Sequence, residues 1–316
     1  DSDMFTLGYS FKPWTNPKAI ADGPSIRSYI HEAAREGGIE KNIRFGHKIV
    51  KSSWSSDDAQ WTVEALLQDT GKTVKYTCNF LFMCSGYYNY DAGYTPHFEG
   101  RERFKGQIIH PQHWPENLDY TGKKVVIIGS GATAVTLLPA MTDKAAHVTM
   151  LQRSPTYVVS LPEQDLFANS LRRFLPEKMV YRATRAKNIA LTLGFFNLSR
   201  QRPKPVRRML LAQVRAQVGK DFDMKHFTPN YNPWDERLCA VPNGDLFKTL
   251  RKGQGEIVTD HIDTFTETGI QLKSGQHLDA DIIITATGLD LQIMGGMQVV
   301  VDGKPADVTQ RMNYKG

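Results

Sequence analysis

The hexapeptide Gly129-Ser130-Gly131-Ala132-Thr133-Ala134 limits the fold of this chain more than any other feature. It sits in GKKVVIIGSGATAV, and it matches the pattern G-x-G-x-x-G/A. KKVVII before it reads as a short, fully apolar strand, AVTLLPAM after it as a helix, and HVTMLQRS as a second apolar strand. That is a βαβ unit of about thirty residues, the length of a parallel crossover. In such a turn the first Gly permits the sharp bend and the second lets backbone approach a pyrophosphate. The small third residue allows helix and strand to pack closely. The helix N-terminus then offers free N–H groups and a positive dipole end. A dinucleotide site is expected here, against the plainer alternative of a structural strand–turn–helix. Pro139 should kink the helix or end it early.

The second strand ends in Gln152-Arg153-Ser154, where NAD-binding units carry a carboxylate for the ribose hydroxyls. A guanidinium at that place suits a 2′-phosphate through paired hydrogen bonds. NADP(H) is expected over NAD, with Gln152, Arg153 and Ser154 beside the six turn residues as its contacts.

The chain has 316 residues, 41% of them hydrophobic and 23% charged, which suits a folded protein of two domains. Its net charge of +6 is uneven. Residues 171–220 hold thirteen Lys or Arg and one acid, Glu177. The default reading is a solvated helical face, with a weak contact to an anionic membrane surface next. Nucleic acid is not expected, because the stretch carries no recognised reading motif. The three cysteines, Cys78, Cys84 and Cys239, form no CxxC pair, which argues against a zinc knuckle or a dithiol redox couple. Sparse cysteines and the lack of a signal peptide pattern lead us to expect a cytoplasmic protein, peripheral at the inner face of the membrane if the basic stretch binds lipid. The opening DSDMFTLGYSFKPW reads like the interior of a domain, so a fragment is expected.

Before the hexapeptide, residues 25–35 read as a helix, and IRFGHKIVKSSW, WTVEALLQD and TVKYTCNFLFMCSG as strands. Residues 163–231 read as helical and basic. DADIIITATG ends a further apolar strand in the small turn Ala286-Thr287-Gly288, and FLFMCSG has the same shape. Two such segments suggest two nucleotide-binding sheets. Just before the first strand of the βαβ unit stands FKGQIIHPQHWP, with Phe104, Gly106, His110, Trp114 and Pro115 at fixed spacing. The residues alone support a packed aromatic linker.

That segment resembles the F-x-G-x-x-x-H-x-x-x-W-P signature of type I Baeyer–Villiger monooxygenases, which likewise precedes an NADP turn. Related flavin-containing monooxygenases lack the Trp. The resemblance extends along essentially the whole chain, through CSGYYNYD, YNPWD and VPNGDLF. It implies an α/β fold of two Rossmann-like dinucleotide-binding domains with a helical insertion. The parts would be a partial FAD domain with linker over 1–118, an NADP domain over 119–162 and 232–285, the insertion over 163–231, and a returning, truncated FAD segment over 286–316. It implies FAD and NADPH as cofactors and O2 as co-substrate. The implied reaction places one oxygen atom into a ketone, or onto a thioether or thioamide sulfur, through a flavin peroxide.

The family's reactive arginine falls on Arg237 and its partner carboxylate on Asp1. A guanidinium stays charged and can stabilise an oxyanion; a surface ion pair with Asp235 or Glu236 is the alternative for Arg237. Of the FAD contacts, Asp1 and Ile49 carry over. The resemblance also implies that His110 and Trp114 set domain orientation. The chain departs from the family in lacking its first Gly-rich turn, its Pro-Gly turn and its C-terminal part. Two other functions therefore stay open: an S- or N-oxygenating flavin monooxygenase, and a non-catalytic NADP-binding remnant.

Overall fold

A computed structural model describes residues 3–307. Asp1 lies outside the described residues. Packing divides the chain into two compact units: residues up to Ala33 with Thr95–Thr287, and Ala34–Tyr94 with the residues from Gly288 onward. This division follows packing, and it differs from the cofactor-based segments expected from the family.

The larger unit is built on five parallel strands: β1 (Gln107–Ile109), β2 (Lys124–Ile128), β3 (His147–Gln152), β4 (Gly255–Thr259) and β5 (Ile282–Thr285). They lie in the order β4-β3-β2-β5-β1. Its helices include α1 (Ala132–Met141), α2 (Glu177–Gln201), α3 (Pro203–Val218) and α4 (Asp245–Arg251). Side chains alternate across a strand, so the run KVVII serves both sheet faces. Val125 and Ile127 pack with Leu138 and Met141 of α1 and with Phe247 of α4. Val126 and Ile128 pack on the other side with Phe265, Ile270 and Leu272. The last three come from an antiparallel meander, Ile262–Thr266, Gly269–Leu272 and His277–Asp279. Each such fully buried side chain stabilises the unit by about 1.5–3 kcal/mol. Pro139 lies inside α1, and the helix ends two residues later at Met141.

The signature segment is not a free linker: its Gln107–Ile109 is the edge strand of this sheet. Phe104 is buried in the meander core. A Cβ on Gly106 would come closer than 3 Å to the Asp281 carbonyl and to the Phe104 ring, so glycine is needed for packing there. The helical segment is also part of the unit. Val214 and Val218 of α3 enter the sheet's core, and Val180 and Tyr181 of α2 pack with Phe5, Trp14 and Tyr29.

The smaller unit has a mixed sheet. Its order is Lys304–Pro305, Gln298–Val301, His47–Ser55, Gln60–Leu67, Thr73–Cys78. Ile49 stands in His47–Ser55, opposite Ala65 and beside a register shift. The expected strand through FLFMCSG is absent. Regular pairing stops at Cys78, and Phe80 and Phe82 are exposed. A continuously apolar run suits a strand covered on both faces; among the described residues no strand pairs with it.

Candidate nucleotide site

The site is assembled at the carboxyl ends of β2, β3 and β5. Strand order reverses between β2 and β5, since β3 and β4 lie to one side and β5 and β1 to the other. Such switch points leave a crevice in open parallel sheets. The Gly129 N–H donates to the Leu151 carbonyl of β3 at 2.8 Å, which ties the turn to its neighbour. Gly129 has φ of 144°. A Cβ on it would come closer than 3 Å to the Ala286 carbonyl after β5. The hexapeptide and the small-residue turn Ala286-Thr287-Gly288 are thus brought together at Ala286, and only glycine permits the approach.

Gly131 has a different duty. Its φ of −83° and ψ of −177° are ordinary extended backbone, and no side chain caps the helix there. A Cβ at Gly131 would meet nothing within 4 Å. The open space lies at the start of α1, where the first-turn N–H groups of Ala132, Thr133 and Ala134 have no partners within the helix. Ala134 is fully buried and lets α1 sit on the sheet, whereas Ala132 and Thr133 are exposed.

At the end of β3 the three expected residues separate in role. Gln152 is 2% exposed, and its amide nitrogen donates to the His226 carbonyl and to Thr259 Oγ1, both at 2.8 Å. Its carboxamide braces β3 against β4 and the residues after α3. His226 Nδ1 lies 2.7 Å from the same Thr259 hydroxyl, and burial pushes its imidazole below the ordinary range. Arg153 is exposed, and no ion pair engages it among the described residues. Ser154 beside it is half-buried.

Arg237 stands immediately before the strand Leu238–Pro242, which pairs in parallel with Tyr157–Leu161. Its carbonyl accepts from the Tyr231 hydroxyl at 3.0 Å and from Thr156 Oγ1 at 3.3 Å. Its Nη2 donates to Ser130 Oγ at 3.0 Å. The guanidinium is thereby placed on the Gly-rich turn itself. Asp235 pairs with Arg200, and among the described residues no ion pair joins Arg237 to Asp235 or to Glu236, the expected alternative. Cys239 is buried, which pushes its thiol up and makes it a poor nucleophile. His110 Nδ1 accepts from the Gln112 N–H at 3.2 Å and caps the short turn Pro111–His113. Trp114, followed by Pro115, packs half-buried on the core of the parallel sheet.

The Ser130–Arg237 bond joins residues 107 apart in sequence, and no spacing rule points to it. The same holds for the brace formed by Gln152, Thr259 and His226.

The flavin-binding monooxygenase-like family model matches residues 16–294. The chain belongs to that family. MymA of Mycobacterium tuberculosis is 56% identical over 320 residues, covering 100% of this chain and 65% of the relative. EthA, an FAD-containing monooxygenase of the same organism, is 54% identical over 318 residues with the same coverage. The chain therefore spans just under two thirds of the length of these relatives. Among solved structures, an oxidised steroid monooxygenase bound to NADP has a TM-score of 0.74 at 23% identity, over 95% of this chain and 64% of that one. A cyclohexanone monooxygenase bound to ε-caprolactone has a TM-score of 0.72 at 18% identity, over 94% and 66%. These likenesses show that this family member shares the fold of the two solved monooxygenases.

Proposed function

We propose that this chain is the NADPH-binding part, with a portion of the FAD-binding part, of a flavin-dependent monooxygenase. The reaction places one atom of O2 into a ketone to give an ester, or onto the sulfur of a thioether or thioamide. The observation that carries the reading is the guanidinium of Arg237 held on Ser130 of the phosphate turn. It brings a permanent cation to the nucleotide site, where the family relies on one.

The residues present fit NADP(H). The open space at Gly131 and the free start of α1 can take the pyrophosphate. Arg153, exposed at the end of β3, can take the 2′-phosphate. Gln152 holds that strand end in place from beneath rather than touching the nucleotide. For the flavin the described residues offer Ile49, so FAD comes to this chain through its family. NADPH would supply the hydride, and FAD the activation of oxygen. Arg237 would keep positive charge at the site across the working pH range, because a guanidinium does not lose its proton there. Trp114 in the signature supports ketone oxidation over simple sulfur oxygenation.

The test takes the full-length protein with FAD and NADPH and supplies a cyclic ketone and an aryl sulfide in parallel. Formation of ester or sulfoxide matched to NADPH consumption is expected. NADPH oxidation that yields neither product would overturn the reading.

A further inference from the structure

We infer that the helical segment carries a docking surface for an anionic lipid bilayer, a property separate from the nucleotide site. Ten consecutive residues of α2, IALTLGFFNL from Ile189 to Leu198, carry no charge. Leu191, Leu193, Phe196 and Leu198 are 65, 56, 40 and 49% exposed. In the first half of α2 one side is properly buried, at Val180, Tyr181 and Thr184. Beyond Ile189 the covered side narrows to Phe195 and Ser199, with Phe195 and Phe196 edge-on to Trp234, and the other large apolar side chains are uncovered. A helix of that character needs an apolar surround.

The charges around this belt choose the surround. Lys178, Arg182, Arg202, Lys204 and Arg208 are exposed, and no carboxylate pairs with any of them among the described residues. Arg182, Ile189 and Leu193 are spaced seven and four residues apart, which puts them on one helix face. The acid of the region, Glu177, is bound to Arg172, and Asp235 is taken by Arg200. The result is an uncharged belt flanked on both sides by unpaired cations. A covering protein surface would need several matching carboxylates around an apolar centre. A layer of anionic headgroups over acyl chains supplies both features together. Among the described residues no helix is long and apolar enough to cross a membrane, so the segment lies on the bilayer.

The test is sedimentation of the full-length protein with phosphatidylcholine vesicles, with and without roughly a third phosphatidylglycerol. Binding to the anionic vesicles is expected, at least tenfold weaker to the neutral ones, and reversed by salt that shortens the Debye length to about 3–4 Å. Leu191→Glu with Leu193→Glu should weaken binding tenfold or more, and Arg202→Gln with Lys204→Gln about five-fold per cation removed. All four positions are exposed, so NADP(H) binding and the thermal transition should stay unchanged. As a second measurement, an environment-sensitive dye on Leu193→Cys should shift to the blue on anionic vesicles. Failure to sediment at low salt, which would mean that another part of the protein covers the belt, overturns the proposal. Equal binding to both vesicle types, or glutamate variants that bind like the parent, does so too.

Discussion

Two alanine substitutions two residues apart should have opposite effects, because Gly129 and Gly131 are needed for different reasons. At Gly129 the backbone has φ of 144°, and an added Cβ falls closer than 3 Å to the Ala286 carbonyl. The conformational strain is about 1–3 kcal/mol. The carbonyl must also shift at a join between two central strands, which brings the cost of Gly129→Ala to about 3 kcal/mol. For a unit of this size that lowers Tm by about 6–12 °C. At Gly131 the backbone is ordinary and the added methyl meets nothing. Gly131→Ala should leave stability within about 1 kcal/mol of the parent, with a slight gain from a less flexible unfolded chain. The methyl does occupy the space that a pyrophosphate needs, so affinity for NADP+ should fall at least about tenfold. Denaturant unfolding and a fluorescence titration with NADP+, run on both variants, separate the two effects. Equal loss of stability in both, or unchanged NADP+ binding by Gly131→Ala, would falsify the division of labour.

Three further outcomes follow from the same geometry. Arg153→Gln should weaken NADP+ by about 1.5–3 kcal/mol, or roughly tenfold to a hundredfold, while NAD+ binding changes little; parallel titrations with the two nucleotides check it. Arg237→Lys in the full-length enzyme should keep the fold and cut turnover about a hundredfold or more, because a lysine cannot reproduce the planar fork that reaches Ser130; steady-state kinetics beside a melting curve decide it. Burial holds His226 neutral in the fold, below its ordinary value of about 6.5. The unfolded chain then takes up the proton first, so this contribution is complete above about pH 6.5 and is lost as pH falls from there toward the depressed folded value. His226→Asn should flatten that part of the stability profile, measured as denaturant midpoints between pH 7.5 and 5 at about half-unit steps.

Much of this architecture is local and therefore readable. Lys124–Gln152 forms its strand, turn, helix and strand from contacts within one short stretch, and the apolar pattern reports them directly. The same is true of α2 and α3. What escaped the sequence depends on partners far along the chain. Gln107–Ile109 reads as linker because three residues are too few to show a period, and its strand character comes from pairing with β5. Phe80–Gly86 reads as a strand because it is apolar, yet an apolar run becomes a strand only when a neighbour offers its hydrogen bonds. Gln152 lies where a cofactor contact is expected, but its burial and its two partners are set by Thr259 and His226. Family likeness marks Arg237, but its seat on Ser130 joins residues 107 apart in sequence and depends on the tertiary fold.

The interior position of β5, between β2 and the edge strand β1, also has a consequence in time. Lys124 and Asp281, bonded at the foot of β2 and β5, are 157 residues apart. A chain emerging from the ribosome can close β2, α1 and β3 early, whereas β5 arrives only after the helical segment and the meander have been made. Closing so long a loop is slow, and until it closes β2 is an unprotected apolar edge. The early intermediate should therefore expose Val125–Ile128 along one side and depend on chaperones. The crevice at Gly129 and Ala286 is then the last part of the sheet to exist, so NADP+ added during refolding should bind only in the final kinetic phase and pull that phase toward completion.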